Sequence, residues 1–346
     1  MNQKEHKALT IKDIARLAGV SVATVSRAMS GNGYVSPEAK EQVDKIVKKY
    51  NFIPSSKARS LVTHKSGVIG LVVPFIDSPF FVAFVNGVQL TAKKHGQTVI
   101  LCYSENNVED EERILRMLCE QRVDGIIAVP AGRKSVGYKA VCDTAHIPVV
   151  FAMRTTDDDS FSTVTANDYQ GAYHAVNHLI QHGHTDIGFI VGDYENMSTF
   201  ADRWKGAKQA MKDHGLSIRP EWVGYCEQFG KGQEKAIQNI LEGEMLPTAI
   251  YSDYQMNSIP VVKALQNAEL KIPEDISVCA FDGFEDSYCE EWMPALDGNI
   301  HPSREIGVQS VKMLETILEK GGVHHKVIDL NFYEHGTVAD RTKSRS

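Results

Sequence analysis

Two hydrophobic periods divide this chain. Over Thr10 to Met29, TIKDIARLAGVSVATVSRAM, apolar residues recur every three to four positions. Ile11, Ile14, Ala15 and Ala18 make one helical stripe, and Val22, Val25 and Met29 make a second. Gly19-Val20-Ser21 leaves room only for a tight turn between them. Thr10 and Asp13 have the spacing of a capping box, Gly19 suits the left-handed position after a helix, and Ser21 suits an N-cap. Two short helices joined by a turn containing Gly predict a helix-turn-helix. Ser36-Pro37-Glu38 opens a third helix, whose stripe is Val43, Ile46, Val47 and Tyr50. Asn51-Phe52-Ile53-Pro54 stops it.

From Gly67 onward, short continuous apolar runs alternate with helical stretches. Val68–Pro74 is a continuous apolar run, as expected of a strand buried on both faces, and Thr98–Leu101, Gly125–Pro130 and Pro148–Phe151 predict further strands. Helices are expected from about Phe80 to His95, from about Asp110 to Gln121, and through the 130s and 140s. The alternation then restarts. Helices are expected near Gly171–His182 and Asp202–His214, and strands at Asp186–Val191, Thr248–Tyr251 and Ser277–Phe281. Two such blocks imply a two-lobed α/β body with parallel sheets and a cleft at the carboxyl ends of the strands.

Composition changes this picture in three ways. The chain carries net −7, yet residues 1–64 hold eleven Lys/Arg against five Asp/Glu, leaving −13 for the rest. A basic head on an acidic body suits DNA binding by the head alone. The six cysteines form no Cys-x-x-Cys pair, and the N-terminus has no apolar signal core, so a cytoplasmic protein with reduced thiols is expected. No run is long enough to span a membrane.

The exposed face of the second helix carries Val22, Ala23, Ser26 and Arg27. Small apolar groups suit thymine methyls, and Arg suits the O6 and N7 of guanine. Thr10, Ser21, Thr24 and Ser36 stand where helix N-termini can hold backbone phosphates. Phe80 and Phe81, just after the first strand of the body, offer rings for stacking on a ligand. The chain has no Gly-x-Ser-x-Gly elbow, phosphate-binding loop or dinucleotide fingerprint, so neither an enzyme nor a cofactor is expected. His174, His178 and His182 recur every four residues without a further ligand, which favours a helix end over a metal site. Asp157-Asp158-Asp159 reads as a solvated loop.

TIKDIARLAGVSVATVSRAMSG, VSPEAKEQVDKIVKKYNFIP and KARSLVTHKSGVIGLVVP together resemble the lactose-repressor (LacI/GalR) family of bacterial transcription regulators. The resemblance implies a helix-turn-helix head at 1–54, a hinge helix and linker at 55–66, and a periplasmic-binding-protein-like body at 67–346. Lobe 1 is expected at about 67–162 and 297–326, and lobe 2 at about 163–296 and 327–346. The chain would cross between them near Ser162–Thr165, Pro294–Asn299 and His325–Leu330.

By the same resemblance Val22, Ala23 and Arg27 read bases, and Ala58 and Leu61 enter the minor groove from the hinge. Phe52 and Ser55 replace a commoner Tyr and Asn. Arg203, Asp282, Asp253, Phe229 and His301 fall on effector-binding positions. Met153-Arg154 stands where sugar-binding relatives often carry Asp, so Arg154, Arg203 and His301 together would suit an anionic sugar derivative. A homodimer on a palindromic operator is implied, with Val85, Val88 and Gln89 at its interface and no tetramer-forming tail. Function is expected to be repression switched by a carbohydrate-type effector. The alternatives are a protein coregulator, for which an Arg such as Arg304 would matter, and a purine corepressor.

Overall fold

The structure, a computed structural model, describes residues 9–30, 33–52, 65–134, 136–226, 232–282 and 295–342. It resolves into two compact units that meet between Ser66 and Gly67.

The head contains α1 (Ile11–Ala18), α2 (Val22–Ser30) and α3 (Pro37–Tyr50). Each expected cap forms. The Thr10 side chain accepts the Asp13 N–H while Asp13 Oδ2 accepts the Thr10 N–H at 2.9 Å. Gly19 takes the left-handed conformation at φ 66°, and Ser21 Oγ accepts the Thr24 N–H at 3.0 Å. Ser36 caps α3 by accepting the Ala39 N–H. Ile14, Ala15, Val25 and Val43 form the buried centre. Val22 departs from the expected stripe. It is 41% exposed, because the packed face of α2 is Val25 with Ala28 and Met29.

Among the described residues the body contains two six-stranded sheets. In the first, β1 (Val68–Val73), β2 (Thr98–Tyr103), β3 (Gly125–Ala128), β4 (Val149–Ala152) and β5 (Ser162–Ala166) are joined by β11 (His325–Ile328), in the order β11-β5-β4-β3-β1-β2. The second has the order β12-β10-β9-β8-β6-β7. Its strands are β6 (Ile187–Val191), β7 (Val223–Tyr225), β8 (Ala249–Ser252), β9 (Ser277–Phe281), β10 (Asp297–Ile300) and β12 (Asn331–Tyr333). Every pairing is parallel except β10 with β12. Helices cover both faces: α4 (Pro79–Lys94), α5 (Val108–Glu120), α6 (Val136–Ala145) and α11 (Ser303–Lys320) on the first sheet. On the second lie α7 (Asp168–Gln181), α8 (Ser198–Asp213), α9 (Gln233–Leu241) and α10 (Gln255–Asn267). Apolar clusters on both faces of each sheet explain the unbroken hydrophobic runs of the strands.

Sheet membership moves the lobe boundaries by a few residues from those expected. Ser162–Ala166 stays in the first sheet as β5, and Asp297–Ile300 stays in the second as β10. The crossings therefore fall at Ala166–Asp168, Ile300–Ser303 and Ile328–Asn331. On α4, Val88 is fully buried and so is no outward position, while Val85 is half-buried against the core. The outward apolar residues of that helix are Val82 and Leu90, 45% and 47% exposed. Among the described residues no helix is long and apolar enough to cross a membrane.

Helices α7 and α8 approach so closely at Gly206 that a Cβ there would collide with the Tyr169 carbonyl oxygen. Backbone cannot yield as a flexible side chain does. Gly206→Ala should lower stability by roughly 1–3 kcal/mol, read as a shifted midpoint in urea denaturation.

Candidate functional site

Two surfaces carry the residues singled out by sequence. On the head, Val22, Ala23, Ser26 and Arg27 are all exposed along one face of α2. The Ser21 and Thr24 hydroxyls lie 2.8 Å apart at its N-terminus, and the Thr10 hydroxyl donates to Asp13 Oδ2 at 2.7 Å. Ala58 and Leu61 lie outside the described residues, as does Phe229.

The second surface is the cleft between the lobes. Its floor is built around Arg203, only 1% exposed on α8. Arg203 Nε donates to Asp168 Oδ1 at 2.8 Å, and Nη1 donates to the Asp253 carbonyl at 2.7 Å and to Asp282 Oδ2 at 3.1 Å. The guanidinium carbon sits 3.7 Å from the centre of the Phe281 ring, a cation–π stack. Burial opposes the charge of Arg203, but Asp282 and Asp168 outweigh it and hold the guanidinium above its ordinary range. Burial also raises both carboxyls, Asp168 to about 7, against the pull of Arg203.

Asp282 ends β9 in a left-handed conformation at φ 65°. This turn aims Oδ2 at Arg203 and leaves Oδ1 buried with no hydrogen-bond partner among the described residues. Asp253 has another role than the one expected. Its carboxylate accepts the Gly192 N–H at 2.8 Å and the Asn257 side-chain amide at 3.0 Å, and Asn257 in turn accepts from Gln233. With both oxygens satisfied inside the protein, Asp253 braces the floor rather than facing the cavity.

Phe80, Arg154, Phe200, Arg203, Tyr254 and His301 line the cavity together with Phe81, Met153 and Thr199. The two phenylalanines separate in role. Phe81 borders the cavity from within the core of lobe 1, 1% exposed and edge-on to Phe75, whereas Phe80 is half-buried with its ring 4.7 Å from His301 and 6.4 Å from Tyr254. His301 Nδ1 lies 3.0 Å from the Ser303 hydroxyl, and its Nε2 has no partner among the described residues. Burial and the nearby Arg203 hold His301 neutral, far below its ordinary pKa.

Arg154, on the lobe 1 wall, donates through Nη1 to Asn106 Oδ1 at 2.8 Å and to the Pro130 carbonyl at 3.1 Å. Burial pushes it down to about 10. Behind it Glu111 accepts the Ala131 N–H at 2.9 Å, and burial pushes its carboxyl up to about 7. Of the three residues expected to suit an anionic ligand, Arg203 is already claimed by two carboxylates and His301 carries no charge, while Arg154 keeps its charge on the lobe 1 wall.

The lobes touch across the cleft at the N-terminus of α8. The Thr155 N–H donates to Ser198 Oγ at 3.0 Å, and Thr199 Oγ1 donates to the Met153 carbonyl at 3.5 Å. The space left between these residues is about 20 Å³, room for roughly one water molecule. A sugar or a base therefore enters only if the lobes part.

Sequence reasoning missed Asp168, Tyr254, Phe200 and the Ser198–Thr199 contact. Asp168 stands 35 residues from its partner, and no local spacing announces such a pair. The histidine row is spent structurally. His178 Nε2 lies 3.3 Å from Asp297 Oδ2, His182 Nδ1 lies 2.9 Å from the His178 carbonyl, and His174 pairs with Gln170. Among the described residues no group of three or more side chains is placed to hold a metal. Of the acidic run, Asp157 pairs with Arg133 and Asp158 caps the Ser160 N–H.

A helix-turn-helix head joined to a two-lobed body with an inter-lobe cleft defines a DNA-binding regulator with a sensory domain. Comparison with known proteins gives the family. Residues 10–55 match the family of bacterial regulatory proteins of the lacI type, and residues 66–335 match periplasmic binding proteins and the sugar-binding domain of the LacI family. The HTH-type transcriptional repressor PurR of Aliivibrio fischeri strain MJ11 is 32% identical over 314 residues, 90% of this chain and 92% of that protein. Catabolite control protein A of Priestia megaterium is 28% identical over 322 residues, 93% and 96% of the two chains. Among solved structures, the lac repressor dimer bound to operator and the anti-inducer ONPF is similar in fold at TM-score 0.84 and 23% identity, covering 96% of this chain and 100% of that one. The chain belongs to the LacI family. It is a DNA-binding transcriptional repressor and not an enzyme.

Because the folded pKa of Glu111 lies above its ordinary 4.5, the folded state binds more protons than the unfolded one between pH 4.5 and about 7. Stability contributed here is present at low pH and lost as pH rises through that window. Glu111→Gln keeps the acceptor for Ala131 and removes the titration. Melting curves across pH 4.5–8 should show the wild type losing stability relative to Glu111→Gln toward the alkaline end.

Proposed function

We propose that this repressor is a cytoplasmic homodimer whose hold on a palindromic operator is switched by a neutral, polyhydroxylated effector of the carbohydrate type, bound in the inter-lobe cleft. The observation that carries the reading is the pairing of Asp282 with Arg203. Oδ1 of Asp282, without a partner among the described residues, can accept a hydrogen bond, and the guanidinium that lines the cavity can donate one. A hydroxyl pair both donates and accepts, so one ligand edge satisfies both, while the half-buried Phe80 ring supplies an apolar wall. The ligand would bind by parting the Ser198–Thr155 and Thr199–Met153 contacts, and its differential affinity for the two lobe arrangements would shift the operator-binding equilibrium.

A thermal-shift screen of neutral sugars, sugar acids, sugar phosphates and purine bases tests this reading. A neutral sugar should raise the melting temperature of the wild type by mass action and have little effect on Asp282→Ala. A shift given only by purines would replace the carbohydrate class with the purine one. A hit that stabilises Asp282→Ala as strongly as the wild type would remove the ligand from this cleft.

For the head, the exposed α2 face supports Val22, Ala23 and Arg27 as base-reading residues, with Thr10, Ser21, Thr24 and Ser36 on the phosphates. Arg27→Ala should cost roughly 1–3 kcal/mol at one operator base pair and relax discrimination there, measured by competition binding on single-substitution operators. Discrimination left intact at every position would assign reading to another element.

A further inference from the structure

Arg203 is held by two buried carboxylates, and only one of them, Asp282, belongs to the ligand reading above. Asp168 is 5% exposed and takes the Nε edge of the guanidinium, the side turned away from Asp282. It opens α7, but the cap of that helix is made by Asn167, whose side chain accepts the Gln170 N–H. Asn167 is also pinned to a second inter-lobe crossing, its N–H donating to the Ile328 carbonyl at 2.9 Å. The Asp168 carboxylate is thus fixed at a crossing and serves neither capping nor a surface ion pair.

We infer that Asp168 determines the charge specificity of the cleft, acting as a positioning residue that locks the guanidinium edge-on and cancels the positive charge an anionic ligand would need. The inference rests on the cleft being the effector site. One guanidinium paired with two carboxylates leaves no spare positive charge on the lobe 2 floor, and the other cation of the cavity, Arg154, stands on the opposite wall donating to Asn106 and the Pro130 carbonyl. Neutral His301 adds no positive charge. An incoming carboxylate or phosphate at the open edge of Arg203 meets Asp282 and Asp168 at short range in a poorly screened setting, where like charges repel strongly. A neutral diol meets the same groups as one donor and one acceptor. Removing the charge of Asp168 while keeping its oxygen leaves Arg203 and Asp282 as a neutral pair, and the penalty on anions falls.

The test uses the full chain labelled with ¹⁵N-arginine, with D-glucose and D-glucuronate as probes at matched ionic strength. The Arg203 Nε–H signal, assigned by its loss in Arg203→Lys, should be shifted downfield and slow to exchange in the wild type. It should move toward ordinary values in Asp168→Asn. Glucuronate should perturb Asp168→Asn at a concentration on the order of tenfold lower than the wild type. That gain should vanish in Asp168→Asn/Arg203→Lys. If Asp168→Asn does not melt cooperatively, Asp168→Ser carries the same comparison.

Equal glucuronate response in wild type and Asp168→Asn, including none in either, overturns the charge role. So does an Nε–H signal unaffected by the substitution. A glucuronate gain in Asp168→Asn with no neutral sugar binding the wild type supports the role of Asp168 and sinks the neutral-effector reading instead, which keeps the two failures apart.

Discussion

The burial of one guanidinium constrains lobe 2 more than any other interaction. A charge taken out of water persists only where partners replace its hydration, and Arg203 draws those partners from three elements. Asp168 comes from the start of α7, the Asp253 carbonyl from the end of β8, and Asp282 with the Phe281 ring from the end of β9. The left-handed turn at Asp282 and the close α7–α8 contact at Gly206 lie on the elements that carry these groups. Buried polar residues beneath, Asp253, Asn257 and Gln233, extend the same hydrogen-bonded floor toward α9.

That floor is joined to the opposite lobe through α8 itself. The helix begins with Ser198 and Thr199 touching the Met153–Thr155 loop, and carries Arg203 little more than one turn later. A ligand that engages the guanidinium must therefore act on the element that also holds the lobes together. The three crossings, at Ala166–Asp168, Ile300–Ser303 and Ile328–Asn331, lie close to the same place in the chain order of the site: Asp168 and His301 each sit within one. The cleft floor and the contacts between the lobes thus share α8.

Charge divides the molecule differently. Residues 1–64 carry an excess of six positive charges and the remainder an excess of thirteen negative. The body, repelled by phosphate, cannot compete with the head for nucleic acid, and long-range steering favours approach by the head.

The sequence by itself determined the elements and their caps. Thr10, Gly19, Ser21 and Ser36 act within three or four residues, so their meaning is local and readable. It also determined the α/β class, because strands buried on both faces must be apolar throughout. Arg203, Asp282 and His301 were legible as site residues through family motifs and their places at strand and helix ends. Tertiary structure alone decided what each side chain does there. The carboxylate of Asp253 turned out to be consumed by Gly192 and Asn257, Phe81 was packed into the core while Phe80 was left half-buried, and Asp168 arrived from 35 residues away to claim half of Arg203. Which strands pair, and hence where the chain crosses between lobes, was likewise set by neighbours distant in sequence. Hydrogen-bond partners and buried charge are properties of a packed neighbourhood, and no single stretch of chain contains its neighbourhood.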